Sequence, residues 1–212
     1  MTHILMMNIS DITAEDYRRL YLQSDQRRQR QADRYLKWED RVRCICAGSL
    51  LRLGIRRALG KDDYEIETSP FGKPNLKDEP YFHYNLSHSG ERVVIAYGSR
   101  PVGIDVEQVH WDSGKENLAR RYFAADEQEF VFGKSWQGRA ERFFQIWTSK
   151  ESYLKYIGTG LQKALNSFSV LQMPAPNCFT IQPDGGYSMS LWTEEEAYEL
   201  EQLSVSDLLN VS

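Results

Sequence analysis

Arg92-Val93-Val94-Ile95-Ala96-Tyr97-Gly98-Ser99-Arg100-Pro101-Val102-Gly103-Ile104-Asp105-Val106-Glu107 is two extended runs with a break between them. Val93 to Ala96 is an unbroken apolar stretch, the composition of a buried strand. Gly98-Ser99-Arg100-Pro101 ends it, since glycine and proline punctuate regular structure. The second run alternates apolar and acidic residues, so Asp105 and Glu107 share one face of a short strand. Two like charges side by side weaken a sheet unless a cation or a basic partner offsets them. They also fit the polar side of a half-buried strand, and the two readings stay open on these residues alone.

Outward from this segment, the chain divides near residue 100. Toward the N-terminus, Ile4 to Ile9 reads as a strand, and Ser10-Asp11 as the cap of a helix starting near Ala14. Asp25 to Leu59 is helical in pattern, with Cys44 to Leu51 apolar on too many positions to be exposed. Thr68 to Pro80 is a loop by composition. Tyr81 to Ser87 and Arg92 to Ser99 are strands around a Ser89-Gly90 turn. Toward the C-terminus come helices over Asn117–Phe132 and Ala140–Tyr156, with the first capped internally at Asp126 or Ala125. Strand candidates follow at Ser167–Gln172, Phe179–Gln182 and Ser188–Trp192. This order predicts an α+β chain of two lobes, residues 1–100 and 101–212.

Bulk properties narrow the function classes. A chain of 212 residues buries a substantial core. The net charge of −4 argues against bulk nucleic-acid binding. No apolar run is long enough to span a bilayer, and the Met1-Thr2-His3-Ile4 start lacks the basic flank of a signal peptide. Three cysteines cannot all pair, so a reducing, cytoplasmic compartment is expected. A zinc site is not expected: there is no Cys-x-x-Cys, and His3, His83, His88 and His110 are scattered.

A second acidic segment, Trp147-Thr148-Ser149-Lys150-Glu151-Ser152-Tyr153-Leu154-Lys155, is helical, with Glu151 and Lys155 one turn apart. Three carboxylates and a lysine meeting in space suit a hard divalent cation held against a pyrophosphate. Glu151 with Lys155 is equally the spacing of an ordinary surface pair. Phe71-Gly72-Lys73-Pro74-Asn75 presents one lysine between a permissive and a stiff residue, either for a phosphate or as a plain exposed turn. Asn85-Leu86-Ser87-His88-Ser89-Gly90 bunches phosphate-binding groups at a strand end. Arg27, Arg28, Arg30, Arg34, Arg41 and Arg43 are interleaved with acids, the pattern of a solvated helical face from which one or two could reach a phosphorylated ligand. Glu127 is explained by its place in a first helical turn.

In order and spacing these motifs resemble the 4′-phosphopantetheinyl transferases, specifically the longer Sfp-like group, across nearly the whole chain. Gly72-Lys73-Pro74, Asn85 to Ser89, Gly103 to Glu107, Trp147 to Lys155 and Gly158-Thr159-Gly160-Leu161 carry the likeness. The resemblance implies a monomer of two similar α/β lobes with pseudo-twofold symmetry, binding coenzyme A between them. It implies transfer of the phosphopantetheine arm to a serine of an apo carrier protein, with release of 3′,5′-ADP. Asp105, Glu107 and Glu151 would hold Mg²⁺, and Lys155 would contact the pyrophosphate. Lys73, Ser87 and His88 would grip the adenosine-side phosphates, with Arg28 and Arg43 near the nucleotide. Glu127, or a metal-bound water, would be the base. Gln31 and Cys44 depart from the family pattern. A pyrophosphate hydrolase and a non-catalytic nucleotide-binding module are the competing readings.

Overall fold

The computed structural model describes residues 1–133, 135–160, 163–173, 178–183 and 185–210. β1 (Thr2–Asn8) organises it. Successive strand side chains leave on opposite faces, so Leu5 and Met7 enter one core while Ile4 and Met6 enter another. β1 pairs antiparallel with β5 (Arg92–Gly98) and parallel with β9 (Tyr198–Leu203). With β4 (His83–Ser89) they make a four-stranded sheet ordered β4-β5-β1-β9. A second, antiparallel sheet is ordered β6-β8-β7, from β6 (Val102–Gln108), β8 (Tyr187–Thr193) and β7 (Cys178–Ile181). β2 (Ile66–Thr68) and β3 (Pro74–Leu76) form a separate ribbon.

The sheets face one another across a dry layer. Ile4, Met6, Val94 and Ala96 meet Val102, Ile104, Val106, Met189 and Leu191 there. On the outer face of the first sheet, α3 (Trp38–Leu59) buries Ile45, Leu50, Leu51 and Ile55 against Leu5, Met7, Val93 and Ile95. α1 (Ala14–Gln23), α2 (Gln26–Asp33) and α7 (Val205–Leu209) pack around α3. On the outer face of the second sheet lies α6 (Arg139–Ile157). Gly103 permits that approach, because a Cβ there would collide with the Ser152 carbonyl and the Tyr156 nitrogen. α4 (Ser113–Tyr122) and α5 (Ala125–Phe132) close an aromatic cluster in which Phe143 stacks on Phe123 and Trp147.

The mixed α+β class is as expected, and several boundaries move. The helical pattern over Asp25–Leu59 is two helices, because the chain turns at Arg34 to Lys37 to lay α2 against α3. The Asn117–Phe132 helix breaks at Phe123-Ala124, where Phe123 is drawn into the aromatic core. Ala124, rather than Asp126 or Ala125, is its internal cap. Thr13, through a reciprocal pair of bonds with Asp16, caps α1 in place of Ser10-Asp11. Ser167–Gln172 is not a strand: a 3₁₀ turn covers Leu165–Ser167, and turns follow. β3 lies within the Thr68–Pro80 loop, and β9 and α7 return the end of the chain to the first sheet. Leu161, the last residue of the Gly158 motif, lies outside the described residues.

Candidate active site

The site forms where the two sheets meet edge to edge. β4 ends the first sheet and β6 the second, and they run side by side. Side chains make the junction. Asn85 Oδ1 accepts the Ile104 N–H at 3.0 Å, Ser87 Oγ the Val106 N–H at 3.3 Å, and Ser89 Oγ the Gln108 N–H at 3.2 Å. Alternate residues of one strand thus satisfy alternate amides of the other, which would otherwise be an open sheet edge. Both hydroxyls donate onward, Ser87 to Asp105 Oδ1 at 2.8 Å and Ser89 to Glu107 Oε2 at 2.6 Å. The ladder that joins the sheets therefore also aims the two acids.

Lys155, in the last turn of α6, reaches the same place. Its Nζ donates to Asp105 Oδ1 at 2.7 Å, the Ile104 carbonyl at 3.1 Å and Ser87 Oγ at 3.2 Å. Asp105 is 4% exposed, and its Oδ2 is buried without a hydrogen-bond partner among the described residues. An orphaned carboxylate oxygen in the interior is costly unless a cation meets it. Burial, more than the repulsion of Asp105, holds the Glu151 carboxyl above its ordinary range. Burial does the same to Glu107, while the Ser89 hydrogen bond pulls it back in part. The Asp105 charge is felt by both Glu107 and Glu151, and Glu107 is felt by Glu151 in turn, so the three carboxylates lie near one another. Among the described residues no three ligating side chains already enclose one point; the Lys155 ammonium is the positive charge in place.

Two clefts meet at Lys155. One, of about 390 Å³, is lined by Arg28, Cys44, Ser87, His88, Asp105 and Glu107, among others. The other, of about 250 Å³, is lined by Phe71, Gly72, Lys73, Asn85, Glu151 and Gly158, among others. His88 is pushed toward the neutral form by burial and then by the Arg43 charge. Arg43 itself is committed elsewhere, donating to Asp40 Oδ1 and to the Gly90 carbonyl, each at 2.6 Å. Lys73 lines its cleft with its stem but not with its charge. Its Nζ donates to the carbonyls of Lys155 (2.7 Å), Val102 (3.1 Å) and Tyr156 (3.2 Å). Those carbonyls include the unpaired ones at the end of α6, which a lysine satisfies well. Burial drops the Lys73 pKa to about 8.

Residues 101–205 match the family described as the 4'-phosphopantetheinyl transferase superfamily. Over 173 residues the chain is 34% identical to the 4'-phosphopantetheinyl transferase Sfp of Bacillus subtilis, spanning 74% of this chain and 76% of that one. It is 35% identical over 140 residues to the 4'-phosphopantetheinyl transferase psf-1 of Bacillus pumilus, 65% of this chain and 59% of the relative. It is also 35% identical over 142 residues to the 4'-phosphopantetheinyl transferase HetI of a Nostoc species, 62% and 58% of the two chains. The chain belongs to the 4′-phosphopantetheinyl transferase superfamily.

In this transferase Glu127 is engaged inside the fold. It is fully buried and paired with the equally buried Lys150 at 2.7 Å. Oε2 accepts the Ala124 N–H at 2.7 Å and Oε1 the Val170 N–H at 2.8 Å. Lys150 donates in turn to the Leu165 and Phe168 carbonyls, at 2.7 and 2.6 Å. The pair caps α5 and ties the 165–170 segment to α6, and Glu127 presents no exposed surface to a substrate hydroxyl. This burial weighs against the expected catalytic role of Glu127.

The residues that sequence reasoning passed over in the transferase are Asn85 and Ser89, as ladder members, and Lys150. The spacing of Asn85, Ser87 and Ser89 on one strand face is the available signal. A larger cavity of about 510 Å³ lies away from these acids, around His3, Arg57, Tyr97 and Glu201. Arg57 there is spent on Glu201, and the His3 ring stacks on Tyr97.

Proposed function

We propose that this transferase moves the 4′-phosphopantetheine arm of coenzyme A to a serine hydroxyl of an apo acyl- or peptidyl-carrier protein, releasing 3′,5′-ADP. One observation carries the proposal: the Lys155 ammonium, held by buried Asp105 and by Ser87, stands where the two clefts meet. A diphosphate lying across both clefts would pass that point.

Asp105, Glu107 and Glu151 would hold Mg²⁺, and the unpartnered Asp105 Oδ2 supports this. When bound, the ion would offset charge on the diphosphate and on the leaving group. Arg28, with neutral His88 as a single hydrogen-bond donor, would hold phosphate at the adenosine end, while Ser87 would keep its one proton on Asp105. Lys73 would contribute by fixing the wall of the second cleft, and Arg43 by fixing the Gly90 turn. The carrier serine oxygen attacks the phosphorus next to the arm. A new P–O bond forms as the bond to the bridging oxygen breaks, and its electron pair leaves with 3′,5′-ADP. Lys155 donates to the oxygens on which charge builds. With Glu127 buried against Lys150, Glu151, the carboxylate lining the second cleft, would take the serine proton.

We read α3 on the first sheet and α6 on the second as two similar lobes related by a pseudo-twofold axis, divided near residue 100, with β9 and α7 crossing back. The free thiols of Cys44, Cys46 and Cys178 suit a reducing cytoplasm. Among the described residues no helix is long and apolar enough to cross a membrane.

Incubation with coenzyme A, Mg²⁺ and an apo carrier domain, read by mass spectrometry, tests the proposal. The carrier serine should gain one phosphopantetheine mass, and Glu151→Gln should slow the gain by about 10²–10⁴-fold. Breakdown of coenzyme A without any carrier modification would show a hydrolase instead.

A further inference from the structure

The Ser89 hydroxyl has one proton and is given two neighbours. It donates to Glu107 Oε2 at 2.6 Å and accepts the Gln108 N–H at 3.2 Å. The amide can only donate, so the hydroxyl proton is committed to the carboxylate. The backbone carrying Ser89 is pinned from two sides. Arg43 Nη1 donates to the next carbonyl, that of Gly90, at 2.6 Å, and the Glu91 N–H donates to the Tyr187 hydroxyl at 2.9 Å. Gly90 itself takes a left-handed turn with φ 52°, a conformation glycine adopts without strain. A glutamate side chain has three free torsions and, unheld, would sample many carboxylate positions. Glu107 is instead held at one oxygen by a fixed donor. Ser87 serves Asp105 in the same way but shares its oxygen with Lys155, so Ser89 isolates the effect.

We propose that Ser89 is a positioning residue that aims the Glu107 carboxylate for divalent-cation binding, with Arg43 and Tyr187 bracing the turn behind it. This rests on the assignment of Asp105, Glu107 and Glu151 as ligands. Outer partners of ligating carboxylates influence metal affinity by about 10–100-fold.

The test is Mn²⁺ binding by electron paramagnetic resonance, on the full chain with coenzyme A present, for wild type, Ser89→Ala, Ser89→Thr and Asp105→Ala. Ser89→Ala should weaken Mn²⁺ binding by about 10-fold or more, and raise the Mg²⁺ needed for half-maximal transfer in parallel. Its KM for the carrier should stay unchanged, and Ser89→Thr should restore the affinity. Wild-type affinity in Ser89→Ala, alongside loss in Asp105→Ala, overturns the positioning role alone. Wild-type affinity in Asp105→Ala overturns the ligand assignment beneath it. Should Ser89→Ala fail to fold, the isosteric pair Ser89→Thr and Ser89→Val decides. A gap between them supports the role and equal affinity refutes it.

Discussion

Asp105 and Lys155 set the balance of the site at the scale of single residues. A carboxylate with one oxygen on a lysine and the other buried without a partner is neutralised but not satisfied. Glu151 shows the consequence most plainly, because burial and then the Asp105 charge raise its pKa above the usual 4.5, against the smaller pull of Lys155. The folded chain thus holds this proton more tightly than the unfolded chain does. The stability it lends is complete below about pH 4.5 and is lost as pH rises through the folded value. Glu151→Gln should therefore raise the melting temperature of the metal-free protein near neutral pH, and the gain should shrink as pH falls toward 4.5. Calorimetry across that range measures it, and a gain that ignores pH would contradict the cause. That Asp105 and Glu107 share a cleft, and that Glu151 and Lys155 line one, was legible because strand and helix periodicities put each pair on one face. The target of Lys73 was not. Its partners are carbonyls of Val102, Lys155 and Tyr156, and a backbone carbonyl leaves no mark in the residue types around it.

α6 is the element on which the chemistry depends, and it is held from three directions. Gly103 lets it settle on β6, Lys73 closes its C-terminal carbonyls, and the Lys150–Glu127 pair locks it to α5 and to the 165–170 segment. Glu127→Ala would strand a buried ammonium, a loss of about 3–5 kcal/mol. At roughly 2–4 °C per kcal/mol for a chain of this size, that is a large drop in melting temperature. Adding Lys150→Met should recover much of it. A base at position 127 would behave otherwise, giving lost turnover at unchanged stability. The helix itself was readable from its apolar spacing, within one residue at each end. The role of Glu127 was not, because its position in the first turn of α5 explains an acid there with no partner at all. Only the fold brings Lys150 under it. Ser167–Gln172 misled for a related reason: its polar backbone is spent on Lys150 and Glu127 and not on a sheet.

The whole molecule is a sandwich of two sheets with a helix on each outer face, and its working edge is the seam between β4 and β6. Joining two sheets by Asn85, Ser87 and Ser89 instead of by backbone pairing leaves hydroxyls free to orient Asp105 and Glu107. The α+β class was visible in the alternation of runs and turns, as was the turn between β5 and β6. The return of β9 to β1 was not, since a parallel pairing between the two ends of a chain has no local signature. The central claim is that acids from β6 and α6 hold one divalent cation against the diphosphate of coenzyme A. Anomalous scattering from crystals grown with Mn²⁺ and coenzyme A tests it most directly. A single peak bounded by the carboxylates of Asp105, Glu107 and Glu151 and by the diphosphate is the predicted result. A bound coenzyme A with no peak among those three acids would contradict it.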